Sequence, residues 1–171
     1  HQCPAQVIGS MEYFFKILAN NDGFGIATIE KLYAHGVRKV SQIYQLKVAD
    51  FTAMGFGDKT SSNLVEQMNR SVNEQIEDWR FLAAFGVHRM GMGNCENLLK
   101  SYRLQDIFSL NLEKIANIEG FAQLTAGLIV EGLASIKDEF DQLNQYQFNL
   151  EITPLAQELL IESHDLLGKK I

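Results

Sequence analysis

Cysteine and proline are almost absent: the 171 residues hold two of each and a single tryptophan. Cys3 and Cys95 cannot staple a chain of this size, so the fold must rest on a packed core. Two reduced thiols in a cytoplasmic protein are the simplest reading. With so little proline and no long Gly/Ser run, a flexible internal linker is not expected. No apolar run approaches the roughly 18 residues that span a bilayer, and no leader pattern opens the chain, so no membrane contact is expected. Basic residues are also short: 15 Lys and Arg stand against 21 Asp and Glu, a net charge of −6. That balance argues against a nonspecific polycationic nucleic-acid binder. The chain opens on His1 and stops on Gly168-Lys169-Lys170-Ile171, and it is expected to be a piece of a longer protein.

What is present is ordinary globular composition, 46% apolar and 21% charged, enough for one well-cored domain or two small ones. The charge is uneven. Residues 1–78 carry −2, residues 79–103 carry +3 through Arg80, Arg89, Lys100 and Arg103 against Glu96, and residues 104–171 carry −7.

Apolar residues recur at helical spacing almost throughout. Helices are predicted over Ala5–Ala19, Ile26–Ala34, Ser41–Leu46 with Ser41 as cap, Val48–Met54, Thr60–Val72, Gln75–Phe85 and Asn94–Tyr102. Short helices follow at Leu104–Leu110 and Asn111–Ile118, the second capped by Asn111. A long helix is predicted from Gln123 to Lys137, running on after a break through Phe148; Leu155–Leu167 reads as helix or linker. No alternating strand stands out except at the last residues. The fold class is all-α.

A turn pattern repeats along this chain: Asp22-Gly23-Phe24-Gly25, Met54-Gly55-Phe56-Gly57, Met90-Gly91-Met92-Gly93 and Glu119-Gly120-Phe121-Ala122. The first glycines are 32, 36 and 29 residues apart. Each copy lies between two short helices. A single copy reads as a tight helical connection with a glycine C-cap. Four in register read as tandem, paired helix–hairpin–helix units, because a C-cap needs one glycine while close backbone approach calls for the second.

Such a turn aims the unpaired N–H groups of a helix start outward, a ready place for a phosphate. The expected activity is sequence-independent binding to the backbone of duplex DNA, with paired hairpins straddling the minor groove. Expected contacts are Gly23, Gly25, Gly55, Gly57, Gly91 and Gly93 through their backbone, with Lys59, Arg89, Lys100 and Arg103 at the hairpin tips. Each of those side chains also reads as an ordinary solvated charge. Asp58 opposes an incoming phosphate, and Ala122 replaces the second glycine of the fourth copy. The second and third hairpins are therefore expected to carry the contact, and the outer two to hold them in position.

Three motifs carry a family likeness: Cys3-Pro4-Ala5-Gln6, the run from Met54 to Leu64, and Arg80-Phe81-Leu82-Ala83-Ala84-Phe85-Gly86-Val87-His88-Arg89-Met90-Gly91. From Cys3 to about Thr153 the chain resembles the helix–hairpin–helix region of bacterial NAD-dependent DNA ligase. The resemblance implies that residues 1–4 are the remnant of a zinc finger and residues 5–150 a four-hairpin domain. It also implies that residues 151–171 are a linker and the entry to a BRCT domain. Cys3 would ligate zinc only with upstream cysteines that are absent here. The family seals nicks in replication and repair using NAD and Mg. Its nucleophilic lysine sits in a Lys-x-Asp-Gly signature, which this chain does not contain. The chain alone is thus expected to have no ligase activity and no catalytic residues. It is expected to act as a monomer on nicked double-stranded DNA, in the cytoplasm and at the nucleoid. Departures from the family are Ile26-Ala27 in the first hairpin, Ala122 in the fourth, and the longer stretch Leu155–Leu167. A module of another repair or recombination protein, and a protein-interaction scaffold, are the alternatives.

No other chemistry stands out. His1, His35, His88 and His164 are scattered, and Cys95, in a first helical turn, reads either as an activated thiol or, better, as a half-buried packing residue. Asp138, Glu139 and Asp141 read as an exposed helix face.

Overall fold

Pro4 opens the first helix because its fixed φ suits that position and its missing N–H lies among the groups a helix start leaves unpaired. The computed structural model describes residues 3–168. Helix α1 runs Pro4–Leu18, followed by α2 Ile26–Ala34, α3 Val40–Ile43, α4 Val48–Ala53 and α5 Asp58–Asn73. A two-residue strand β1, Ile76–Glu77, leads into α6 Asp78–Ala83 and α7 Met92–Leu99. After a 3-10 turn at Leu104–Ser109 come α8 Leu112–Ala116, α9 Gln123–Asn144, strand β2 Leu150–Glu151 and α10 Ala156–Gly168. Among the described residues no helix is long and apolar enough to cross a membrane.

The all-α expectation holds, with several local corrections. Ile76 and Glu77 are not helical: α5 ends at Asn73, and the chain then lies parallel to β2, Ile76 opposite Leu150. Ser41 is buried inside α3 and does not cap it; Lys39 is the N-cap residue. The long helix α9 has no break. Buried Phe140 and Leu143 continue its apolar face, and Lys137 donates to Asp141 one turn on at 2.6 Å. The stretch read as helix or linker is α10. Of the predicted entry to a further domain at 168–171, Gly168 ends α10 and the rest lies outside the described residues, as do His1 and Gln2.

Two halves share one core. Phe14 of α1 meets Phe15, Tyr44, Phe81 and Phe85 edge-on at 5.5–6.5 Å, and Phe81 and Phe85 pass that packing on to Phe140 of α9. Each such aromatic pair contributes about 0.5–1.5 kcal/mol beyond its buried area. A polar pin fastens the segment after β2 to the start of α6. The carboxylate of Asp78, 2% exposed, accepts from the N–H of Trp79 at 2.8 Å and from the N–H and hydroxyl of Thr153 at 2.9 and 2.5 Å.

Candidate nucleic-acid interface

The turns between α1 and α2, between α4 and α5, and between α8 and α9 share one build. Gly23, Gly55 and Gly120 sit at φ 95°, 94° and 97°, the left-handed region where an L side chain is strained. The next residue, Phe24, Phe56 or Phe121, is buried and fastens the turn to the core. The residue after that, Gly25, Gly57 or Ala122, is the N-cap of the second helix in an extended conformation.

The third turn is read two residues out of register from its sequence. Its left-handed residue is Arg89 at φ 67°, its buried residue Met90 and its N-cap Gly91. Gly93, expected as the second glycine, lies instead within α7. Corrected, the left-handed positions 23, 55, 89 and 120 are 32, 34 and 31 residues apart, a more even period than the glycine spacing suggests. The extra length of this turn begins at Gly86, itself at φ 68°.

At all four tips the first helical hydrogen bond runs to the carbonyl of the N-cap residue. The N–H of Ile29 donates to Gly25 O, Ser61 to Gly57 O, Cys95 to Gly91 O and Ala126 to Ala122 O, at 2.8–3.0 Å. The three N–H groups before each have no helical acceptor, and no side chain caps any of the four helices. The contrast is α8, where the Asn111 side chain accepts from the N–H of Lys114 at 2.9 Å, as its sequence suggests.

The N-cap glycines are required by nothing inside the protein. Gly25, Gly57 and Gly91 have φ of −79°, −64° and −69°, open to any residue. A Cβ built on any of them meets nothing within 4 Å. Ala122 fits at the fourth tip for the same reason.

Hairpins pair by reciprocal clamps. Lys31 of α2 donates to Gly55 O at 2.8 Å and lies 4.5 Å from the centre of the Phe56 ring. In return, Gln67 of α5 accepts from the N–H of Asp22 at 2.8 Å, and Leu64 crowds Gly23. In the other pair, Asn97 of α7 donates to Glu119 O at 2.8 Å, while Val87 of the third turn packs on Gly132 of α9. Lys31 and Asn97 are each the sixth residue of their helix, so the repeat extends to its clamps.

Of the expected side chains, Lys59 and Arg89 are exposed at the second and third tips. Lys100 and Arg103 are not at a tip, which corrects their expected placement. They follow the C-terminal end of α7, about 12 Å from its start at 1.5 Å per residue. There Lys100 O accepts from the N–H of Ala156 at 2.8 Å, and Arg103 pairs with Glu158 and donates to Thr153 O at 3.4 Å. Both tether the segment leading into α10. Spacing alone could not show this, because their partners lie some fifty residues away.

Three exposed apolar residues, of which the sequence singles out only Ile26, also stand at the tips: Ile26 and Met92, the first residues of their helices, and Leu124, the second of its own. Their place one or two residues after the N-cap was the available signal. Cys95 is fully buried rather than half-buried, and burial pushes its thiol up to about 12, so it is no activated nucleophile. Cys3 is exposed, and no His, Cys, Asp or Glu cluster among the described residues could hold a metal.

Arg89 occupies a conformation that its counterparts fill with glycine, at a cost of about 1–2 kcal/mol. Arg89→Gly is expected to leave the melting free energy unchanged or to raise it by up to about 1 kcal/mol. The same change is expected to weaken duplex binding and lower its salt slope by about one. Thermal melts and a salt titration on one preparation check both halves.

Paired turns with uncapped second helices define a tandem helix–hairpin–helix protein, and residues 15–70 match the family of SAM-like helix-hairpin-helix tandems. Nearly the whole chain is similar to proteins named DNA ligase. It is 68% identical over 169 residues to that of Ruthia magnifica subsp. Calyptogena magnifica, covering 99% of this chain and 28% of that protein. Identity is 51% over 169 residues to that of Psychromonas ingrahamii, covering 99% and 26%. With the ligase of Desulfatibacillum aliphaticivorans it is 35% over 161 residues, covering 94% and 26%. The chain spans about a quarter of the length of these relatives and corresponds to the helix–hairpin–helix region of a DNA ligase.

Proposed function

We propose that this chain grips the backbone of duplex DNA, as the non-catalytic DNA-binding part of an NAD-dependent ligase that works at nicks in replication and repair. The observation that carries this reading is the pairing of unclaimed donors with unnecessary glycines. Among the described residues, twelve N–H groups at four helix starts have no partner, and three of the four N-caps are glycine where neither φ nor space asks for it. A surface kept bare in this way suits close approach by a phosphate. Phosphate contacts position a protein without reading bases, so an acidic chain can bind if donors are favourable at the tips alone. The reciprocal clamps support a pair of tips held at fixed spacing, as straddling a minor groove requires. Lys59 and Arg89 supply the cationic side chains, and the chain acts as a monomer. In this reading NAD and Mg act in parts of the longer protein that this chain does not span. Cys3 by itself does not fit structural zinc, which takes four ligands.

Binding to a nicked duplex across a salt series tests the proposal. Affinity is expected to fall log-linearly with salt, with a slope of about −0.9 per phosphate engaged, and to be indifferent to sequence. A chain that binds no duplex even at low salt sinks it.

A further inference from the structure

We infer that the apolar tip residues Ile26, Met92 and Leu124 read the sugar, making this surface selective for deoxyribose over ribose. The inference rests on the DNA-binding reading above and adds a partner for side chains that reading leaves idle.

These side chains are 45%, 41% and 79% exposed, on the first residue after the N-cap in two repeats and on the second in a third. Leu124 is the most exposed large apolar residue among those described. None is needed to start a helix: the equivalent places in α5 are filled by Asp58 and Lys59. Each lies within one residue of N–H groups that have no partner among the described residues. A ligand that meets donors and an apolar side chain side by side must offer an anionic acceptor next to a hydrocarbon surface. In a duplex backbone that surface is the C–H face of the sugar, between successive phosphates.

The 2′-position decides what such a side chain meets. Ribose places a hydroxyl, donor and acceptor both, on the minor-groove side. An apolar residue pressed against it strips its water and returns no hydrogen bond, which is unfavourable. Deoxyribose presents C–H there. Asp58 and Lys59 make no such distinction, so the second tip contributes affinity alone, while the other three add sugar preference.

The test measures affinities of the parent chain and an Ile26→Gln/Leu124→Gln variant for two nicked duplexes of one sequence, one all-DNA and one with ribose in the continuous strand. Both substitutions lie on exposed side chains, and a thermal melt confirms that the variant folds. The parent is expected to prefer the all-DNA duplex by about tenfold, since each hydroxyl left unpaired counts against the hybrid. The variant is expected to lose that preference mainly through weaker DNA binding, with its salt slope unchanged because no phosphate contact has gone. Equal preference in parent and variant overturns the inference while leaving backbone binding intact. So does a loss of equal size on both duplexes. Lys59→Ala serves as the control: it is expected to lower the salt slope and leave the sugar preference alone. If the parent binds neither duplex at low salt, both readings fall together.

Discussion

Alanine at both Gly57 and Gly91 is expected to weaken binding to nicked duplex by about a hundredfold while barely changing the melt. The two effects separate because of where these glycines sit. Their φ values of −64° and −69° suit alanine, and a Cβ built on either meets open space. The folded chain therefore loses only the difference between glycine and alanine as an N-cap, less than about 1 kcal/mol at each site. A phosphate drawn against the bare backbone is affected differently. The new methyl stands beside the free N–H groups, and a charge-assisted hydrogen bond lost there is worth about 1.5–3 kcal/mol, roughly tenfold or more in affinity per tip. Gly55 would be a poorer probe, because at φ 94° any side chain strains the turn and confounds folding with binding. Titration of nicked duplex with a parallel thermal melt checks both halves. Unchanged affinity would mean that phosphates do not come to these N–H groups.

Most of the architecture was legible because each repeat announces itself locally. The glycine at φ near 95°, the buried phenylalanine and the polar helix start lie within a few residues of one another, and three turns were placed correctly from them. The third defeats the glycine pattern because its left-handed residue is Arg89, while Gly91 and Gly93 happen to mimic the motif two residues late. Partners distant in sequence were illegible for another reason. Nothing near Ile76 signals that Leu150 will lie beside it, and a helical period across residues 75–85 fits the apolar residues as well. Lys100 and Arg103 looked like tip cations because the local charge is positive, yet their contacts run to Ala156, Thr153 and Glu158. The idle N–H groups could be foreseen. That the N-cap glycines are idle too is visible only once φ and surrounding space are known, and it is this that separates a ligand-facing turn from a tight connection.

A single methyl at Gly132 should test whether the tips depend on their clamps. A helix-interior glycine normally invites alanine, which is about 1 kcal/mol more favourable there. Gly132 is the exception in α9, because a Cβ placed on it would lie 2.1 Å from Cγ1 of Val87, well inside contact distance. Val87 is buried in the third turn, two residues before the left-handed Arg89. The added methyl has to push that turn away from α9 or force a strained rotamer, at a cost of about 1–3 kcal/mol. Gly132→Ala is thus expected to lower stability and, by displacing Arg89 and Gly91, to weaken duplex binding as well, although Gly132 itself touches no ligand in this scheme. Shortening Val87 makes room for the methyl. In a double-mutant cycle, Val87→Ala combined with Gly132→Ala is expected to be more stable than the sum of the single changes predicts. Recovery of binding in the double variant would tie the geometry of the third tip to its clamp on the fourth hairpin. Additive losses in the melt, or a Gly132→Ala chain as stable as the parent, would show that the third turn is not seated on α9.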